Sequence, residues 1–241
     1  MSLSIAIPIY NEEKNLPRLF KNLNLLKKKI IDLEIICIND FSSDNSKGII
    51  LKYSKKKKFI KLFNNKKKGL GAAIQLAIKK SKKKYVCIFM SDLSDDKKDL
   101  IRYYNTIKGT QYNAIFGSRF VKGSTIINYP KTKFILNRIF NNFVKYLLFS
   151  KYNDFTNAFK IYERKMLISF LPIISESFNV FLELPLKVIC RNFRYKIIPI
   201  SWKDRNVGSS NFKIKELGSL YFFTLFYCLI EKILLNKKNV H

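Results

Sequence analysis

"KYVCIFMSDLSDDKK", residues 84–98, decides how the rest of the chain is read. Tyr85 to Met90 is a short, nearly continuous apolar run, the pattern of a strand buried on both faces. It stops against Asp92, Asp95, Asp96 and Asp99, in a chain that has 46 Lys and Arg but only 17 Asp and Glu. A buried strand that ends in carboxylates, in so basic a chain, points to a parallel sheet with ligand chemistry at the carboxyl ends of its strands.

Working outward, SIAIP (4–8), LEIICIN (33–39), KFIKLF (58–63) and NAIFG (113–117) read as further strands. Glu12 to Lys28, Asp44 to Ser54, Leu70 to Lys80 and Lys97 to Lys108 carry helical spacing between them. Ser94 is followed by Lys97 rather than Glu, so a capping box is only half formed and the start of the fourth helix is left open. Strand and helix alternate, which predicts a Rossmann-like α/β fold: a mostly parallel sheet with helices on both faces. Four predicted strands end in unusual polar residues: Tyr10-Asn11-Glu12, Asn39-Asp40, Ser91-Asp92 and Gly117-Ser118-Arg119. One such end is ordinary turn chemistry, whereas four on one sheet edge predict a cleft.

The second half is less regular. Residues 130–149 set Leu136, Phe140, Phe143 and Leu147 at helical spacing among Lys131, Lys133, Arg138 and Lys145. Such a basic amphipathic helix either packs on the sheet or lies in a membrane interface. Leu217 to Ile230 is an uncharged run of 14 residues, short of the roughly 20 that a span needs. It predicts a buried or interfacial C-terminal helix. We therefore expect an α/β domain over 1–213, followed by an apolar helix and basic tail over 214–241.

The net charge of +29 favours anionic partners, an acidic membrane surface among them. Nucleic acid is not expected, because the Lys runs 55–58, 66–68 and 82–84 lack interleaved aromatics for stacking. Cys37, Cys87, Cys190 and Cys228 lie far apart in mostly apolar runs, which predicts buried thiols. The only histidine is His241, so a Ser-His-Asp triad and a His-rich metal site are excluded. MSLSIAIPIYNEE has no basic n-region, so no secretory leader is expected.

Seven motifs then stand in a familiar order: "IPIYNEEKNL", "EIICINDFSSDNS", "KKKGLGAA", "FMSDLS", "FGSRF", "NDFTNAFKIYERK" and "KDRNVGSSNF". From residue 3 to about 213 the chain resembles family 2 glycosyltransferases of the GT-A fold, and most of all the dolichol-phosphate (polyprenyl-phosphate) mannose synthase branch. The resemblance implies a nucleotide-sugar donor held by Pro8, Tyr10, Asn11, Glu12, Asn39, Asp40, Gly69, Ser91 and Asp92. Asn39 stands where the family more often has a first Asp. Gly69-Leu70-Gly71 opens a helix and would let backbone approach a ligand closely.

A sugar nucleotide's diphosphate leaves with charge that a hard divalent cation, Mg²⁺ or Mn²⁺, neutralises. The family's Asp-x-Asp is here Met90-Ser91-Asp92, and a thioether is a poor ligand for such a cation. Asp92 is therefore the expected metal ligand, with Ser94, Asp95 or water completing the shell. Arg119 and Arg205 are the expected catalytic phosphate partners of Asp92. Lys133, Arg205 and Ser210 are expected at the acceptor phosphate, although Asn211 replaces the Lys of the family's Gly-x-Ser-Lys. Asp154 and Glu183 are candidates for a base or a sugar contact.

An acceptor phosphate needs no base, its second pKa being about 6, whereas a sugar hydroxyl does. With no His and no clear base motif, the expectation is an inverting hexose transfer, from GDP-mannose, to a polyprenyl or dolichyl monophosphate. The enzyme would sit peripherally on the cytoplasmic face of a membrane, with a membrane protein or a second copy as further partners. The alternatives are transfer to a sugar hydroxyl in cell-surface polysaccharide synthesis, or a non-catalytic member silenced by Met90 and Asn211.

Overall fold

In the computed structural model the described residues are 2–204 and 214–238. Three βα units come first: β1 (Ser2–Ile9), α1 (Leu16–Lys29), β2 (Asp32–Asn39), α2 (Ser46–Lys56), β3 (Ile60–Asn64) and α3 (Leu70–Lys80). They are followed by β4 (Tyr85–Ile88), α4 (Lys97–Ile107), β5 (Ala114–Ser118), β6 (Thr125–Ile127) and α5 (Lys131–Leu147). The chain continues with β7 (Lys160–Glu163), α6 (Arg164–Ser169), α7 (Val180–Cys190), β8 (Tyr195–Pro199), β9 (Ser201–Lys203) and α8 (Ile214–Lys238). The main sheet runs β3-β2-β1-β4-β7-β5-β8. Every pairing in it is parallel except those of β7, which is antiparallel to β4 and β5.

Period-two alternation sends strand side chains into two separate cores. Ala6, Ile36, Ile38, Val86, Ile88 and Phe116 pack under α3, α5, α6, α7 and α8. Leu3, Ile5, Ile7, Ile35, Cys37 and Cys87 pack under α1, α2 and α4. The sheet is thus covered on both faces, and all four cysteines are free and buried.

Two helix starts bear on the site: that of α1 shifts from the expected Glu12 to Leu16, and that of α4, left open, falls at the expected Lys97. Pro17 occupies the first turn of α1, so Glu12 to Asn15 form the turn before it, with Asn15 and Leu16 donating to the Glu12 carbonyl. The cap of α4 is Asp96, whose side chain accepts from the Lys98 N–H at 2.8 Å, and not Ser94. β7 went unread because four residues with Lys and Glu at the ends carry little periodicity.

The last helix is fastened to the body along one side. Thr224 accepts a hydrogen bond from Asn179 at 2.9 Å, and Glu231 one from Arg191 Nε at 2.6 Å. Phe140 of α5 meets Tyr221 and Phe222 of α8 edge to face. The outer faces of α5 and α8 remain apolar and exposed, at Ile135, Ile139, Phe143, Phe223, Phe226 and Ile230 among others.

Candidate active site

Three neighbouring strands reach the carboxyl edge and turn through left-handed residues: Asn11 (φ 53) after β1, Phe41 (φ 59) after β2 and Leu93 (φ 61) after β4. Asn tolerates that conformation, whereas Phe and Leu are strained in it. The strain is held by side chains of the adjoining loops. Asn11 Oδ1 accepts from the Ser43 N–H at 2.8 Å, and the Glu12 N–H donates to Ser46 Oγ at 2.9 Å. Asp40 is buried and accepts from the Gly69 N–H at 3.1 Å and from Asn65 Nδ2 at 2.8 Å. Asn39 donates to Asn64 at 3.3 Å, and its own Oδ1 is buried without a partner among the described residues. Tyr10 is exposed, with Lys68 Nζ 5.3 Å from its ring centre. Pro8 offers its carbonyl to Ser91 Oγ at 3.4 Å.

The Gly69-Leu70-Gly71 turn differs from its expected use. A Cβ at Gly71 would fall 1.8 Å from the Ser175 carbonyl oxygen, and one at Gly69 would fall 2.9 Å from that of Glu176. The close backbone approach is therefore to the protein's own 175–176 segment. Glu183 holds that segment from inside α7. It accepts from the N–H groups of Ile174 and Ser175 at 3.2 and 2.8 Å and pairs with Lys187 at 2.6 Å, fully buried.

The four acids that follow β4 divide in two. Asp96 caps α4, and Asp99 takes the Ser201 N–H at 2.6 Å and Arg102 at 2.7 Å. Asp92 and Asp95 instead line a cavity of roughly 350 Å³. Asp92 Oδ1 accepts from both the N–H and the hydroxyl of Ser94, at 3.1 and 2.6 Å. Burial, and then the neighbouring charge of Asp92, push the Asp95 carboxyl up to about 8. The loop is pinned from across the site by a bridge between Asp95 and Trp202 and by the Lys203 N–H donating to the Ser94 carbonyl at 3.0 Å.

Among the described residues no three His, Cys, Asp or Glu side chains gather into a cation cage. What the chain offers is two carboxylates and the Ser94 hydroxyl, with the Met90 thioether beside them on the same wall. Oxygen donors of that number suit Mg²⁺ or Mn²⁺ where substrate phosphates complete the shell.

Arg119 stands directly after β5 and is held from every side. Its N–H and Nε donate to Asp154 Oδ2, both at 2.9 Å, and Nη2 donates to Oδ1 at 2.7 Å. The rings of Phe120, Tyr129 and Trp202 lie 5.4, 5.4 and 5.7 Å from its guanidinium carbon. Burial alone would lower its pKa, but Asp154 outweighs that and drives it upward, so the charge is locked on. Asp154 is 0% exposed, and both its oxygens face Arg119. Neither Asp154 nor Glu183 lines the cavity. Lys160, also buried, donates to the carbonyls of Phe155 and Asn157, and burial brings its ammonium down to about 7.

The cavity brings together Asp92, Ser94, Arg119 and Lys133 of the expected residues. Pro8, Tyr10, Asn11, Glu12, Asn39, Asp40, Gly69 and Ser91 form the adjoining strand edge rather than its lining. Arg205 and Ser210, with Asn211, lie outside the described residues. Sequence reasoning passed over Tyr129, Phe181, Trp202 and Tyr221, which also line the cavity. Trp202 was within reach as the only tryptophan in the chain.

Residues 4–171 match the family model described as glycosyl transferase family 2. The chain is 24% identical over 231 residues to polyprenol monophosphomannose synthase of Mycolicibacterium smegmatis, covering 89% of this chain and 86% of that protein. It is 42% identical over 80 residues to a dolichyl-phosphate beta-glucosyltransferase of Trichomonas vaginalis, a stretch that makes up 30% of this chain and 25% of that protein. Among solved structures it resembles glucosyl-3-phosphoglycerate synthase of Mycobacterium tuberculosis in complex with Mn²⁺, UDP and glucosyl-3-phosphoglycerate. There the TM-score is 0.70 at 14% identity, over 96% of this chain and 79% of that one. At that identity the likeness speaks for the fold.

Proposed function

The chain belongs to glycosyl transferase family 2, and from that premise we propose that it moves a hexose from a nucleotide sugar onto a polyprenyl or dolichyl monophosphate at a membrane surface. The observation that carries the reading is the mixed lining of the cavity. It brings Asp92, Ser94, Asp95 and Arg119 together with Lys133, Leu136, Phe140, Tyr221 and Phe222. Carboxylates, cations and apolar side chains on one cavity wall suit an acceptor with an anionic head and a hydrocarbon tail. The name of the mycolicibacterial relative supports mannose as the sugar, and we take GDP-mannose as its donor.

The nucleotide would lie along the edge formed by Pro8, Tyr10, Asn11, Glu12, Asn39, Asp40, Gly69 and Ser91. There the unpartnered Asn39 Oδ1 would meet a donor on the base or ribose. A divalent cation held by Asp92, with Ser94 or Asp95, would supply charge neutralisation for the diphosphate. Lys133, together with Arg205 and Ser210, would bind the acceptor phosphate, and Arg119 would stabilise the charge developing on phosphate oxygens. One oxygen of the acceptor monophosphate attacks the anomeric carbon opposite the diphosphate. The bond from that carbon to the diphosphate oxygen breaks, its electron pair leaves with the nucleoside diphosphate, and configuration inverts. No general base is required, because the attacking phosphate is already ionised near neutral pH. Asp154 and Glu183 serve as supports, the first for Arg119 and the second for Ile174 and Ser175.

We assign catalysis to 1–213 and membrane contact to α5 with 214–241. Gly218–Leu235 is long and apolar enough to cross a bilayer, at a mean hydropathy of 1.5. The ties of Thr224 to Asn179 and of Glu231 to Arg191, the residues that flank α7, favour a helix lying on the membrane, and we place the enzyme on the cytoplasmic face.

The test is transfer of radiolabelled sugar from GDP-mannose and UDP-glucose to undecaprenyl or dolichyl phosphate, with Mg²⁺, with Mn²⁺ and with EDTA. The expected result is labelling that needs the cation and is lost in Asp92→Ala. Folded protein that labels sugar hydroxyls but no lipid phosphate would replace this acceptor, and one that labels nothing would mark a silenced site.

A further inference from the structure

Gly218 lies at the start of the apolar stretch of α8, where its neighbours are Ser, Leu, Tyr and Phe. Its φ is not in the left-handed region, and a Cβ added to it would meet nothing within 4 Å. Neither backbone conformation nor close packing therefore demands glycine there, and glycine weakens a helix interior relative to alanine. What its missing side chain leaves is space. Gly218 lines the cavity beside Leu136, Phe140, Tyr221 and Phe222.

The cavity reaches the surface at this seam, since Leu136 and Phe222 are 43% and 45% exposed as well as lining it. Outside the opening the surface stays apolar, with Ile135 and Ile139 on α5 and Phe223 and Phe226 on α8. Pro130 and Lys133 bring the amino-terminal turn of α5, with its positive dipole end, to the same cavity wall. A cavity with an apolar seam and a cationic turn on its wall fits an amphiphile with an anionic head and an apolar tail.

Resting on the lipid-phosphate reading above, we propose that Gly218 keeps open a side portal between α5 and α8, through which the first isoprene units of the acceptor's tail leave the site. Gly218 then determines tail specificity and takes no part in donor binding. A side chain at 218 would obstruct a long tail and spare one that ends inside the cavity.

The experiment is a graded series, Gly218→Ala, Gly218→Leu and Gly218→Trp, each shown to be folded by circular dichroism and its melting temperature. Each variant is assayed with undecaprenyl phosphate and with dimethylallyl phosphate, using the donor that the wild-type chain accepts. We expect the ratio of kcat/KM for the long acceptor over the short one to fall with side-chain size, by about tenfold or more for tryptophan, through KM of the long acceptor. A ratio that stays constant along the series overturns the portal while leaving the acceptor class intact. A wild-type chain that labels neither phosphate overturns the acceptor reading, and the portal with it.

Discussion

At the carboxyl edge of the sheet, most polar side chains already have a partner within the protein. Asp40 is taken by Gly69 and Asn65, Asn11 by Ser43, Asp99 by Ser201 and Arg102, and Asp154 by Arg119. The paired helices α5 and α8 are the opposite case. Their inner residues meet ring to ring, and their outer residues Ile135, Ile139, Phe223 and Phe226 remain on the surface. The difference separates two kinds of demand. A site that orients a diphosphate and a sugar needs fixed dipoles that do not reorganise, whereas a surface for hydrocarbon needs area and little geometry. Substitutions at the edge should therefore cost stability, and substitutions on the helix pair should cost binding alone.

The comparison is broken hardest at Asp154. Both it and Arg119 are buried, so Asp154→Ala strands a cation and should cost about 3–5 kcal/mol in denaturant unfolding, with transfer lost as well. If stability barely changed, the edge would not be the rigid half. Next comes Gly71→Ala, where the new methyl falls on the Ser175 carbonyl. An expected loss of about 1–3 kcal/mol would show as a lower melting temperature.

Lys160 sharpens the comparison through pH. Folded, it gives up its proton near 7, against an ordinary 10.5 unfolded, because burial disfavours the ammonium. Between those values the unfolded chain holds more protons, so this group makes stability rise with pH. Its penalty is fully present below pH 7 and is progressively relieved above it. Against Lys160→Met, the wild type should gain at most about 1.4 kcal/mol per pH unit from pH 7 upward, measured by unfolding at pH 7, 8 and 9. The smallest effect on the fold is expected on α8. Phe223→Ser with Phe226→Ser should change stability by no more than about 0.5 kcal/mol. The same pair should lower binding to anionic vesicles by about 1.5–3 kcal/mol per phenylalanine, read by co-sedimentation. A folded double variant that sediments like the wild type would sever the helix pair from the membrane.

Much of the fold was legible because it is written locally. The five strand runs of the first half, the helices between them and the polar strand ends were all visible as period, length and punctuation. Seven motifs in register carried the family, and the basic apolar helices showed where hydrocarbon contact was to be sought. β7 and the small β6–β9 sheet were not legible, since strands of 4 and 3 residues carry too little pattern. Nor did the run 88–98 say which of its acids would be spent on structure, because a helix cap and a cavity wall draw on the same residue type.

By itself, then, the sequence determined a mostly parallel α/β sheet, the edge on which its chemistry gathers, and the family to which its motifs belong. Only the tertiary structure decided which charged groups line the cavity. Asp154 looks like a free acid in the chain but is joined to Arg119 across 35 positions, and Asp40 to Gly69 across 29. The Gly69-Leu70-Gly71 turn, expected to lie against a ligand, lies against Ser175 and Glu176, and Gly218 lines a cavity. The physical reason is one of range. Periodicity and turn chemistry act over a few residues, whereas the burial and partner that decide whether a carboxylate supports the fold or meets a ligand come from segments that only folding brings together.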